Sequence, residues 1–183
     1  MGKIFLFLAD GFEEIEALAT VDILRRAELN VQTVSIMEAF GVQGAHDVEV
    51  VADSKIEDTK FEDIDMLVLP GGMPGASNLS NDTLLRDLIL DTAKKQIPLA
   101  AICAAPLVYG RLGLLQGKKA TCYPGFEGEL KGAILQNSSV VVDGNLITAN
   151  GPGAAFDFAY AIVAHFCGEE KVAELKAGMM VRS

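Results

Sequence analysis

The stretch Leu99-Ala100-Ala101-Ile102-Cys103-Ala104-Ala105-Pro106 decides the fold. Its first four residues are apolar without interruption, and so short a run reads as a strand covered on both faces, the setting of a parallel sheet. From Ala104 to Leu112 the composition turns helical, with Pro106 tolerated because it falls in the first turn, where no hydrogen bond is lost. Cys103 therefore sits at a strand-to-helix junction. The same unit recurs outward along the chain. Ile4 to Leu8 is a buried strand closed by Asp10-Gly11, followed by an amphipathic helix over Glu13 to Glu28. Val31 to Ile36 is a second strand, and Val48 to Ala52 a short edge strand or hairpin arm. Met66 to Leu69 ends at Pro70-Gly71-Gly72 and precedes a helix from about Asp82 to Lys95, with Asn81 as its cap. Lys119 to Cys122 is a short strand. Val140 to Val142 and Leu146 to Ala149 form a hairpin through Asp143-Gly144, and helices follow over Ala154 to Phe166 and Glu169 to Ala177. Strands alternating with helices predict an α/β fold with a mostly parallel central sheet and helices on both faces. No linker or repeat interrupts residues 1–183, which predicts a single domain.

Composition narrows the function. With 15 Lys+Arg against 25 Asp+Glu the net charge is −10, and no basic cluster exceeds a pair, so nucleic acid is not an expected partner. Half the residues are hydrophobic and 22% charged, which excludes disorder. The apolar run from Ile4 to Ala9 is too short to span a membrane, and no membrane association is expected. Cys103, Cys122 and Cys167 make neither a closed disulfide framework nor a zinc spacing. No metal and no cofactor are expected, and a reducing, cytoplasmic setting is.

In a parallel α/β sheet reactive groups gather where strands end and helices begin. Three loops qualify: Asp10 to Glu16, Pro70 to Gly75 and Cys103 to Pro106. A cysteine at a helix N-terminus has its thiolate favoured by the dipole, so Cys103 is the candidate nucleophile with a pKa expected below ~8.5, a small core cysteine being the competing reading. Gly71 and Gly72 leave their N–H groups unobstructed, so that with the Ala104 amide they can hold an oxyanion, although a plain turn explains them equally. Glu13, Glu14 and Glu16 open the first helix, where acids are favoured in any case. His46 and His165 have no motif around them.

The segments at 9–17 (ADGFEEIEA), 68–76 (VLPGGMPGA), 100–106 (AAICAAP) and 150–159 (NGPGAAFDFA) together resemble the ThiJ/PfpI superfamily, in particular its DJ-1 subgroup. The resemblance runs along essentially the whole chain. It implies a flavodoxin-like three-layer sandwich, with Cys103 as an oxidation-sensitive nucleophile and Glu16 as the acid whose protonated carboxyl hydrogen-bonds its thiolate. It also implies Gly72 and Ala104 as oxyanion donors, and Gly71, Tyr123, Gly151, Pro152 and Gly153 lining the pocket. A homodimer with the first helix in its interface is implied too, along with a cross-subunit contact between Glu13 and His46. Relatives often carry a histidine where Tyr123 precedes Pro124, and the PfpI proteases carry one at the position of Ala104. Peptidase chemistry through a Cys-His pair is therefore not expected. The expected activity is cofactor-independent glyoxalase or deglycase chemistry on a small reactive carbonyl such as methylglyoxal, or on a protein it has modified. The alternative is a redox-sensing stress protein or chaperone whose cysteine is oxidised to sulfinate.

Overall fold

Uninterrupted apolar runs pair side by side because neither of their faces tolerates water. The computed structural model describes residues 2–181; Met1, Arg182 and Ser183, which the expected domain includes, lie outside the described residues. The elements in chain order are β1 (Lys3–Leu8), α1 (Glu14–Arg26), β2 (Val31–Ser35), β3 (Gly41–Gln43), β4 (Glu49–Val51), β5 (Ser54–Lys55) and β6 (Ile64–Leu69). There follow α2 (Gly75–Asn81), α3 (Thr83–Lys94), β7 (Leu99–Ile102), α4 (Pro106–Arg111), β8 (Lys119–Ala120) and β9 (Ile134–Leu135). The chain closes with β10 (Val140–Asp143), β11 (Leu146–Ala149), α5 (Ala155–Cys167) and α6 (Glu169–Gly178).

Seven strands form one sheet in the order β10-β11-β7-β6-β1-β2-β5, parallel throughout except for β10. Its five inner strands, β1, β2, β6, β7 and β11, stand in the spatial order second, first, third, fourth, fifth, which is the flavodoxin-like arrangement with a switch point between β1 and β6. Helix α5 packs on α1 and α6, while α2 packs on α3 and α4, giving a helical layer on each face. The sheet centre is dry: every residue from Ile4 to Ala9 and from Met66 to Leu69 is buried. Each large apolar side chain there contributes roughly 1.5–3 kcal/mol. Pairing of Leu6 with Val68, Leu69 with Ala101 and Ile102 with Ala149 brings the carboxyl ends of β1, β6, β7 and β11 level, so their loops open on one edge.

The structure corrects several local expectations. The segment 41–51 is a separate antiparallel ribbon, Val42 opposite Val50, so the hairpin-arm reading of the 48–52 region holds. Strand β5 has only Ser54 and Lys55, too short and polar for any periodicity to show, and pairs with β2 at the sheet edge. Helix α2 (GASNLSN) escapes detection because glycine, serine and asparagine are weak helix formers; it is held by burying Gly75, Ala76 and Leu79. Strand β8 stops at Ala120 and pairs with β9, since the Thr121 N–H turns to the Thr148 hydroxyl at 3.0 Å. Helix α4 begins at Pro106, two residues later than expected, and the hairpin turn is Gly144-Asn145.

The cap of α3 is Asp82, whose Oδ1 accepts the Leu85 N–H at 2.7 Å, and not Asn81, which belongs to α2. Asp82→Ala should therefore lower unfolding free energy by about 1 kcal/mol. Asn81→Ala should stay within about 0.5 kcal/mol of wild type. Urea denaturation measures both.

Candidate active site

Strand β7 delivers Cys103 into a turn with φ +63°, a left-handed conformation rarely adopted by a residue with a side chain. Both ends of the residue are tied down: its N–H donates to the Ala149 carbonyl at 2.8 Å, and its carbonyl accepts the Tyr123 N–H at 2.8 Å. The surrounding loops thus over-determine a strained backbone. Gly71 lies directly behind the thiol. A Cβ there would lie 2.6 Å from Cys103 Cβ and 2.8 Å from Glu16 Oε2, so only glycine fits. Its N–H donates to Glu16 Oε2 at 2.7 Å and its carbonyl accepts the Glu13 N–H at 2.9 Å, which stitches the loop after β6 to the first turn of α1.

Helical spacing selects Glu16 among the three glutamates. Glu13 and Glu16 stand three residues apart on the inward face, whereas Ile15 between them is 54% exposed. Glu16 is wholly buried, and its Oε1 has no hydrogen-bond partner among the described residues. Its ionisable neighbour is the Cys103 thiol, and each group shifts the titration of the other. Burial pushes the Glu16 carboxyl up to about 7, against the pull of the Gly71 N–H and the thiol; the Glu13 charge adds to the rise.

The thiol departs from expectation. Burial first, and the Glu16 charge second, push Cys103 up to about 12, although the nearby Gly72 and Ala104 N–H groups favour its charge. The expected helix-dipole depression is outweighed because α4 has only six residues. Two anions cannot coexist in this space, so the pair carries one proton between them: a thiolate forms here when the proton rests on Glu16.

A cavity of about 220 Å³ opens over the sulfur, lined by Glu13, Gly72, Met73, Cys103, Ala104, Tyr123, Phe126 and Pro152. Tyr123 and Pro152 fall where the resemblance implies. Gly71 instead backs the thiol, Gly151 packs beneath the Tyr123 ring, and Gly153 has open space beside it without lining the cavity. Met73 and Phe126 escape sequence reasoning. Met73 is the one bulky apolar residue of the 70–76 loop, which is the signal that could have found it.

Glu13 and His46 meet within one chain. His46 Nδ1 lies 2.9 Å from Glu14 Oε2 and 3.4 Å from Glu13 Oε2, and Glu14 Oε1 accepts the backbone N–H of His46 at 2.7 Å. This clasp fastens the β3–β4 turn to the start of α1. The Glu14 hydrogen bond, then the charges of Glu13 and Glu14, raise the His46 pKa; burial alone would raise Glu14, but its bonds from His46 and the loop hold it below the usual range. The three side chains offer ligand atoms within 4.8 Å of one another, the one such group among the described residues, yet both Glu14 oxygens are already engaged.

A strained cysteine at a strand-to-helix elbow, beside a buried glutamic acid at the switch point of a flavodoxin-like sheet, defines a cysteine-centred α/β sandwich protein. Residues 2–165 match the DJ-1/PfpI family, and the chain belongs to it. It is 35% identical to protein dj-1beta of Drosophila melanogaster over 96% of this chain and 95% of that one. It is 39% identical to protein DJ-1 homolog B of Arabidopsis thaliana, but spans only 41% of that relative's length. The solved structure of oxidized Toxoplasma gondii DJ-1 superposes with a TM-score of 0.95 at 31% identity, covering all of both chains.

Two measurements test these electrostatics. Because the folded pKa of Glu16 lies above its ordinary 4.5, its burial costs nothing below pH 4.5 and is progressively destabilising as pH rises through about 7. Glu16→Gln should therefore raise thermal stability at pH 8, by up to about 3 kcal/mol, with the gain vanishing near pH 4.5. His46 has the same sign: its stabilisation is present below ~6.5 and lost as pH rises through the higher folded value. His46→Gln should be less stable than wild type at pH 6 and converge with it in alkali; parallel melting curves at both pH values would refute the clasp's ionic contribution.

Proposed function

We propose that this DJ-1-type protein is a cofactor-independent cysteine enzyme acting on reactive carbonyls, methylglyoxal or its adducts in the first place. The observation that carries the reading is the pairing of the Cys103 thiol with a buried Glu16 raised to about 7, under two N–H donors and an open cavity. Glu16 takes the thiol proton as sulfur adds to the aldehyde carbon. A carbon–sulfur bond forms, and the carbonyl π pair becomes an alkoxide stabilised by the Gly72 and Ala104 N–H groups. Glu16 returns a proton to that oxygen, then takes the former aldehyde hydrogen as a proton while the ketone oxygen is protonated, giving an enediol; that proton is delivered to the neighbouring carbon and the C1 hydroxyl proton is released as its carbonyl re-forms, leaving the lactoyl thioester. Water cleaves the thioester, restoring the thiol and releasing lactate; methylglyoxal plus water equals lactate, so the sequence needs no oxidant or cofactor. Three unpaired cysteines support a reducing, cytoplasmic setting. Exposed Ile15 and Leu18 on α1 support a homodimer through that helix.

A second reading is favoured by the same donors. A sulfinate on Cys103 meets the Gly72 and Ala104 N–H groups, so the site also suits a redox sensor, and the Toxoplasma gondii relative is described as oxidized.

Lactate release from methylglyoxal separates the two. Wild type should turn over, Cys103→Ser should be inactive, and Glu16→Gln should lose on the order of 10²-fold or more together with the rise in rate near pH 7. No turnover in wild type, with peroxide converting Cys103 to sulfinate, would establish the sensor instead.

A further inference from the structure

The cavity over Cys103 has an unusual charge pattern: its walls are apolar, and among the described residues that line it Glu13 is the one acidic or basic side chain apart from the Cys103 thiol. Met73, Tyr123, Phe126 and Pro152 offer ring and thioether surface, with Met73 and Tyr123 about half exposed at the mouth. Among the described residues no lysine, arginine or histidine lines it. Glu13 is fixed in place, since its N–H is held by the Gly71 carbonyl at 2.9 Å and a Cβ on Gly72 would come within 2.4 Å of its nitrogen. Its carboxylate is 11% exposed and accepts no hydrogen bond among the described residues; its one ionic neighbour is His46, at 3.4 Å. That imidazole lies closer to Glu14, at 2.9 Å, so one cation serves two carboxylates and negative charge is left facing the cavity.

We infer that Glu13 makes this cavity a charge filter: it admits uncharged carbonyl compounds bearing an apolar group and turns away those carrying a carboxylate or phosphate. The inference deepens the carbonyl reading and names its substrate class. An anion entering here loses its hydration, finds no cation among the described lining residues and approaches a Glu13 carboxylate whose one cation, His46, is shared with Glu14. A neutral oxoaldehyde with a methyl or phenyl group meets none of these costs and covers the apolar walls.

Alkylation of Cys103 tests the filter independently of turnover. Iodoacetamide and iodoacetate are near-equal in size, differ by one charge and attack the same thiolate, so the ratio of their rates does not depend on how much thiolate is present. The folded, full-length protein is labelled at pH 6, where Glu16 is largely protonated, and the Cys103 peptide is followed by mass spectrometry. Divided by the same ratio for glutathione, wild type should favour the neutral reagent at least tenfold, about 1.4 kcal/mol. Glu13→Gln, whose fold is checked by circular dichroism, should fall to within about threefold of glutathione, and Met73→Lys at the mouth should reverse the preference. A wild-type ratio equal to that of glutathione, or an unchanged ratio in Glu13→Gln, overturns the filter. Turnover of phenylglyoxal against glyoxylate completes the test. Selective alkylation without turnover of either compound sustains the filter and sinks the carbonyl reading; equal turnover of both overturns the filter.

Discussion

Everything distinctive about this molecule depends on one buried space shared by two ionisable groups. Cys103 and Glu16 meet where water is excluded, with Gly71 closing the back, and burial pushes both away from their charged forms. A carboxyl at the surface would titrate near 4.5 and hold no proton to move at neutral pH. Here it is brought to about 7. The stability lost by burying it is offset by the dry sheet on which the loops rest, whose centre carries no polar side chain from Ile4 to Ala9 or from Met66 to Leu69. The glycines follow from the same constraint. At Gly71 any side chain would fill the space that sulfur and carboxyl share, and at Gly72 it would strike the backbone of Phe12 and Glu13.

Sheet order explains why these groups converge. Acid, donor loop and cysteine follow β1, β6 and β7, three adjacent strands around the switch point, and their level registers place the loop openings side by side. This much was legible in the sequence, because strands buried on both faces write themselves as unbroken apolar runs and their ends as Gly, Pro and Asp. Cys103 and Glu16 were legible too, the first from its place after Ile102, the second only through the resemblance. The failures have physical causes. Helix α2 is built of weak helix formers and exists by tertiary burial, β5 is two polar residues long, and Phe126 reaches the cavity from a loop with no period. The thiol's ionisation is not legible because sequence shows a helix start but neither its six-residue length nor the depth of burial.

The contact between Glu13 and His46 is made within the chain by an element that the main sheet does not include. The sequence placed both near the pocket, and they do meet, but through the folded-back β3–β4 ribbon of the same chain. That ribbon is invisible to pairing rules for the main sheet since it joins none of its strands. It is held by backbone bonds, Gly11 N–H to the Gln43 carbonyl at 2.8 Å and Ala45 N–H to the Phe12 carbonyl at 2.8 Å, so the histidine adds charge to a contact already formed.

Helix α1 then carries an inverted pattern in its first turns. An ordinary surface helix turns its acids to water and its apolar residues to the core. Here Glu13 and Glu16 face inward while Ile15 and Leu18 stand 54% and 41% exposed. The inward acids account for half of the inversion, since they are required beside the thiol and a carboxyl cannot be in two places. The outward apolar pair is not required by the site, and leaving it in water forgoes burial on the order of 1.5–3 kcal/mol per side chain. An exposed helix under no second demand would carry polar residues at those positions; residues 13–18 therefore combine inward acids with an outward apolar pair, a pattern that core packing alone does not produce.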